Sequence, residues 1–182
     1  MLKQSEILTE ENPTLRLKSK DVVFPLSNED KNLIDDMLKY LRLSQDEEYA
    51  KKNKIRAGMG LAFVQLGILK KIFIISYKQD DGSFEEYVVI NPKLISHSEE
   101  FIYVEEGEGC LSVNKDWEGI VPRYARANIE YYDTHGNKQN VRVREEISVA
   151  FQHEIDHLEG ILFFDKIDKN DPYKNKENMR AI

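Results

Sequence analysis

Glu145-Glu146-Ile147-Ser148-Val149-Ala150-Phe151-Gln152-His153-Glu154-Ile155-Asp156-His157 is the stretch on which the reading of this chain turns. It ends in the pattern H-E-x-x-H. On a helix, residues four apart share a face, so His153 and His157 can grip one metal ion. Glu154 stands one residue after the first histidine, within reach of a water on that ion, and is suited to be its base. Ile147, Val149, Ala150, Phe151 and, just beyond, Leu158 occupy the other sides of the helix. A helix that is apolar around so much of its circumference is buried rather than laid on a surface. The spacing predicts a helix from Glu145 to His157, ended near Gly160.

A catalytic metal site of this kind needs a third protein ligand and an open fourth position. The chain has one cysteine, Cys110, inside Glu108-Gly109-Cys110-Leu111-Ser112. A lone cysteine makes no internal disulfide, and its thiolate with two neutral imidazoles suits iron, zinc, cobalt or nickel. The remaining histidines, His97 and His135, fall on the surface and in a turn and are not expected to be ligands. A third segment reads Gly58-Met59-Gly60-Leu61-Ala62-Phe63-Val64-Gln65. Its glycines permit close backbone approach, but the third glycine of a dinucleotide fingerprint is missing, so no nucleotide site is expected. Gln65, at the end of an apolar run, reads either as a hydrogen-bonded core amide or as a donor aimed at a developing oxyanion.

In this order, the three segments resemble the peptide deformylase family, whose pattern is G-x-G-x-A-A-x-Q, then E-G-C-L-S, then H-E-x-D-H. The second and third match in full; the first keeps both glycines, Ala62 and Gln65, while Phe63 and Val64 depart from it. The resemblance runs from about Asn12 to Lys166 and is to the longer, insertion-containing form of the family. It implies antiparallel sheets wrapped around the central helix. It implies that Cys110, His153 and His157 hold one divalent ion, ferrous iron before zinc, nickel or cobalt. Glu154 is then the base, and the Gln65 amide and Leu111 backbone N–H stabilise the oxyanion. The substrate is an N-formylmethionyl nascent peptide, bound as an added strand between Gly60 and Glu108-Gly109. Met59, Leu61, Val149 and Ala150 are the candidates for its methionine pocket. Arg123 is a candidate partner for Glu108, holding the cysteine loop.

Two other readings use the same motif. A zincin protease takes a downstream His or Glu as third ligand, and after His157 the chain offers no histidine and only Glu159 and Glu177. A metal-storing or redox-sensing module would have no need of Glu154 or Gln65.

Length and charge set the frame. At 182 residues one domain is expected: a catalytic unit over 1–166 and a polar tail over 167–182, loosely ordered from Asn170 to Ile182. A net charge of −7 argues against broad or sequence-specific nucleic-acid binding. Lys166, Lys169, Lys174, Lys176 and Arg180 could touch ribosomal RNA transiently, although a solvated tail is the favoured reading. The start lacks the apolar stretch of a signal peptide, and no apolar run approaches the ~20 residues needed to span a bilayer. The chain is read as a cytoplasmic monomer.

Residues 1–26 are expected to be irregular. Ser27 and Asp30 mark a helix start, and Leu33, Ile34, Met37, Leu38 and Leu41 recur at helical spacing over 28–43. Residues 45–56 read as a helix end and surface loop. Strands are predicted at 71–77 and 86–91 around Asp80-Asp81-Gly82-Ser83, at 101–105, and at 125–132 and 138–143 around Thr134-His135-Gly136-Asn137. Strands followed by the metal helix make an α+β domain, with one further helix near the N-terminus.

Overall fold

The computed structural model describes residues 2–182. Helix α1 (Asn28–Ser44) is capped by Ser27, whose side chain accepts from the Asp30 N–H. The Asp30 carboxylate does not close the box; it takes the Lys70 ammonium at 2.6 and 2.7 Å. A short helix α2 (Glu47–Asn53) occupies what reads in sequence as loop, because Asp46 caps it and Lys54 ends it in the left-handed region.

Five strands form the main sheet: β1 (Gly60–Ala62), β2 (Ile72–Lys78), β3 (Phe84–His97), β6 (Arg126–Tyr132) and β7 (Lys138–Arg144), paired antiparallel in that order. A second sheet joins β5 (Arg123–Tyr124), β4 (Phe101–Tyr103) and β8 (Arg180–Ala181). Helix α3 (Glu145–Leu158) packs against β1, β2, β5 and β7. Antiparallel sheets around a central helix is the predicted α+β architecture.

The core explains why β2 is apolar without alternation. Ile72 and Ile74 join Ile34, Met37 and Leu41 of α1 on one face. Phe73 and Ile75 join Phe151 and Leu158 of α3 on the other. A strand covered on both faces reads as a continuous apolar run. Strand β3 runs well past the predicted end at Asn91. That residue has φ +51°, and register shifts beyond Ile90 and Leu94 absorb it.

The stretch read as a loose tail is docked. Ile167 is buried with Val113, Val121 and Phe163. Arg180–Ala181 pairs parallel with Ile102–Tyr103, and Arg180 makes two 2.8 Å bonds to the Glu145 carboxylate at the start of α3. The basic residues offered to RNA are mostly engaged inside the chain: Lys166 with Asp156, Lys174 with Asp168, and Lys176 over the rings of Tyr103 and Tyr173. Polar composition hides this, because strand pairing and ion pairs at Arg180 fasten the segment beside the apolar contacts of Ile167. Among the described residues, no helix is long and apolar enough to cross a membrane.

Candidate metal centre

Helix α3 brings His153 and His157 onto one face, with ring centroids 4.9 Å apart. The Cys110 loop meets them from outside. The sulfur and one nitrogen of each ring all lie within 4.8 Å of one another, and Cys110 Sγ is 3.2 Å from His157 Nε2. One soft sulfur and two imidazoles converging like this match the donor set of a transition-metal site. His97, stacked on Tyr124, and His135, in the turn after Asp133, stay outside it.

Glu108 fixes the first ring. Its Oε2 accepts from His153 Nδ1 at 2.8 Å, leaving Nε2 with a lone pair for a ligand bond. The same carboxylate takes Arg123 Nε and Nη2 at 2.7 and 2.9 Å, so the Glu108–Arg123 pair is present and bidentate. Arg123 is 1% exposed and also donates to Asp156 Oδ2 at 2.5 Å. Burial alone would raise the Glu108 pKa, but the Arg123 charge and the bonds from Arg123 and His153 outweigh it and hold the carboxyl near 2. Burial works against a charged His153 too, yet Cys110 and Glu108 raise its pKa well above the ordinary value. His157 goes the other way, lowered by burial and by the charges of His153 and Arg123.

Glu154 is 4% exposed and reaches the same cleft. Burial lifts its pKa to about 7. Its Oε2 has no partner among the described residues. An unpartnered buried oxygen costs roughly 1–3 kcal/mol, so a donor from outside the chain belongs there. A carboxylate poised near neutrality, free on one oxygen and beside the ligand cluster, has the properties of a general base. A Cβ on Gly60 would overlap Glu154 Oε1, which is why that position is glycine.

Gln65 is held on both ends of its amide. Oε1 accepts from the Ala62 N–H at 2.8 Å; Nε2 donates to Ser112 Oγ at 3.0 Å and lies 3.7 Å from Cys110 Sγ. The amide therefore faces the ligand cluster. Strand β1 is an edge of the main sheet, so one side of Gly60–Ala62 offers unpaired backbone groups. Gly109, with nothing within 4 Å of a would-be Cβ, lies across from it on the same cleft.

That cleft encloses about 350 Å³. Met59, Val149 and Ala150 line it, as do Gly60, Glu108, Gly109 and Leu111. Leu61 does not. It is fully buried among the α1-side core residues with Phe63, because alternate strand residues face opposite ways. The assignment of Leu61 to the methionine pocket is therefore corrected. Val104, unremarked in the sequence, takes a place in the wall. Phe63 sits in the core and leaves the cleft untouched. A hollow of about 370 Å³ between His97, Arg126 and Arg142 lies elsewhere and gathers no such donor set.

Comparison with known proteins agrees with this geometry. The profile described as polypeptide deformylase matches residues 4–173. The chain belongs to the peptide deformylase family. Curated peptide deformylases of Macrococcus caseolyticus and Oceanobacillus iheyensis are each 44% identical over the whole of both chains. Among solved structures, peptide deformylase from Thermus thermophilus is 31% identical with a TM-score of 0.74, covering 91% of this chain and 86% of its own. A plant peptide deformylase gives 29% and 0.74, covering 90% and 80%. A peptide deformylase is a metal-dependent hydrolase that removes the N-formyl group of nascent peptides. Sequence reasoning passed over Asp156 and Ser112 as parts of the site. Asp156 was visible as the fourth letter of HEIDH; Ser112 had no signal beyond its place in EGCLS.

Proposed function

We propose that Cys110, His153 and His157 hold one divalent ion, ferrous iron in the cell, and that Glu154 carries the proton during deformylation. The convergence of three ligand atoms within 4.8 Å, with Glu154 free on one oxygen beside them, carries this reading. The ion, when bound, acidifies a water and polarises the formyl carbonyl.

The chain's own groups do the rest. Glu154 Oε2 takes the proton of the attacking water and later delivers it to the departing amide nitrogen, so formate and a free N-terminal methionine result. The Leu111 N–H and Gln65 Nε2 are donors for the negative oxygen that develops at the formyl carbon. Among the described residues no hydrogen bond takes up the Leu111 N–H. The peptide lies as an added strand between the open edge at Gly60 and the Glu108-Gly109 backbone. Its methionine enters the wall formed by Met59, Val104, Val149 and Ala150. Every proposed ligand and donor comes from one chain, in keeping with a monomer. The reduced Cys110 suits the cytoplasm, where nascent peptides leave the ribosome. We place residues 2–166 and 167–182 in one folded unit, since Arg180 and Ile167 anchor the latter.

Formate release from formyl-Met peptide by protein purified without oxygen tests the reading. The iron form should be active and lose activity fast in air, nickel or cobalt forms more slowly, with zinc weak. A zinc form that is the most active, indifferent to air, overturns the iron assignment. Acetyl-Met peptide should be a poor substrate, and equal kcat/KM for both would refute a narrow formyl site.

A further inference from the structure

The turn that carries Cys110 has no regular structure, yet each of its carbonyls is held. The Cys110 C=O accepts from the Val113 N–H at 3.1 Å, closing the turn. The Ser112 C=O accepts from the Glu10 N–H at 2.7 Å. The other two go to a single side chain: Arg56 Nη1 donates to the Val113 C=O at 2.6 Å, and Arg56 Nη2 donates to the Leu111 C=O. Gln65 meanwhile holds the Ser112 hydroxyl. With the carbonyls of residues 110 to 113 all engaged, the peptide planes of the turn cannot rotate independently.

We propose that Arg56 is a positioning residue for deformylation. Its planar fork joins the Leu111 and Val113 carbonyls. The Leu111 N–H shares its peptide plane with the Cys110 C=O, which the Val113 N–H holds, so the fork acts on that plane by keeping the turn closed, and with it Cys110 Sγ beside His157. This deepens the reading of Leu111 as an oxyanion donor and rests on it. A guanidinium suits the task because its donors are fixed in one plane, and hydrogen bonds from a charged donor are the stronger kind. A lysine offers one point charge and cannot span both oxygens. Arg56 also borders the cleft, so the test must separate positioning from contact with the peptide.

Arg56→Met and Arg56→Lys are made in the full chain, with folding checked by circular dichroism. Arg56 is an exposed residue, and a folded variant is expected. The Met variant should lose about 10–100-fold in kcat, as outer partners of a metal site do, with KM held within roughly threefold. Two readouts do not depend on turnover. Amide hydrogen exchange at Val113, whose N–H closes the turn on the Cys110 C=O, should quicken in the metal-free protein, and the thiolate-to-metal absorption of the cobalt form should shift. The Lys variant should lie between wild type and Met in all of these. A rise in KM with kcat unchanged would mean that Arg56 touches the peptide, and the proposal falls. Unchanged exchange and an unchanged cobalt band also overturn it. Were wild type to release no formate while exchange and the cobalt band still responded to Arg56, the clamp would stand and the deformylation reading would fail.

Discussion

The two halves of the metal centre are built by different means. Helix α3 supplies His153, Glu154 and His157 from a single periodicity, and its hydrogen bonds are its own. The stretch from Glu108 to Val113 supplies Cys110 and Leu111 with no regular structure. Its shape comes from Arg123, 15 residues after Glu108, from Arg56, 55 residues before Leu111, and from the N-terminal Glu10. Local geometry can fix a ligand spacing; it cannot aim a loop. The backbone of the helix half is therefore set by its own sequence, although Glu108 orients the His153 ring, and the loop half is exposed to changes far away in sequence.

Removing chemistry from the helix half gives the largest expected effect. Glu154→Ala should keep about one metal per chain and lose roughly 10²–10⁴-fold in kcat. Metal analysis beside kinetics checks it, and loss of the metal with the carboxylate would make Glu154 a ligand. Next comes the loop half at its buried anchor. Arg123→Met leaves Glu108, 4% exposed, without its guanidinium and Asp156 with Lys166 alone, which should cost about 3–5 kcal/mol of stability. Urea unfolding measures this, and a variant as stable as wild type would show that the buried cation is dispensable.

Gln65 sits between the halves. Gln65→Leu should lower kcat by ~10²-fold with metal content and stability little changed. A variant that unfolds, or that keeps full activity, assigns the amide to the core instead. The smallest effect compares one carboxylate from each half in metal-free protein. The folded pKa of Glu154 is raised to about 7 from 4.5, so its ionisation destabilises the fold as pH rises between those values. Glu154→Gln should therefore gain stability over wild type progressively from pH 4.5 to about 7, and no further above it. Glu108, lowered to about 2, stabilises above 4.5 and loses that contribution as pH falls toward 2. Glu108→Gln should then differ most from wild type above pH 4.5. Two variants with the same pH trend would break the contrast.

What could be read in the sequence follows the same division. The helix that carries His153, Glu154 and His157 was legible because helical spacing and residue chemistry coincide in HEIDH, and Cys110, which the fold brings to the two histidines, stood out as the chain's one cysteine. The added-strand edge was legible only through the resemblance, since three residues of β1 give no period to count. Leu61 was misplaced because adjacency to Gly60 and Met59 says nothing about which face a residue takes. Arg56 and Val104 were invisible, being defined by what the fold brings to them. The docked end of the chain was hidden by its polarity, as ion pairs leave no pattern comparable to an apolar stripe.

That docked end bears on how the protein is handled. The Ile182 N–H donates to the Tyr103 C=O at 3.0 Å, and Ile182 packs, as Val104 does, against the cluster of Ile102, Ala125 and Val149, the last of which lines the cleft. An affinity tag or fluorescent fusion placed after Ile182 would start beside that cleft. Such a fusion would pry at the wall with its own thermal motion and blur any measurement of side-chain preference there. A label attached in the turn at Asp81-Gly82 instead, where a Cβ on Gly82 would meet nothing within 4 Å, would leave that wall undisturbed.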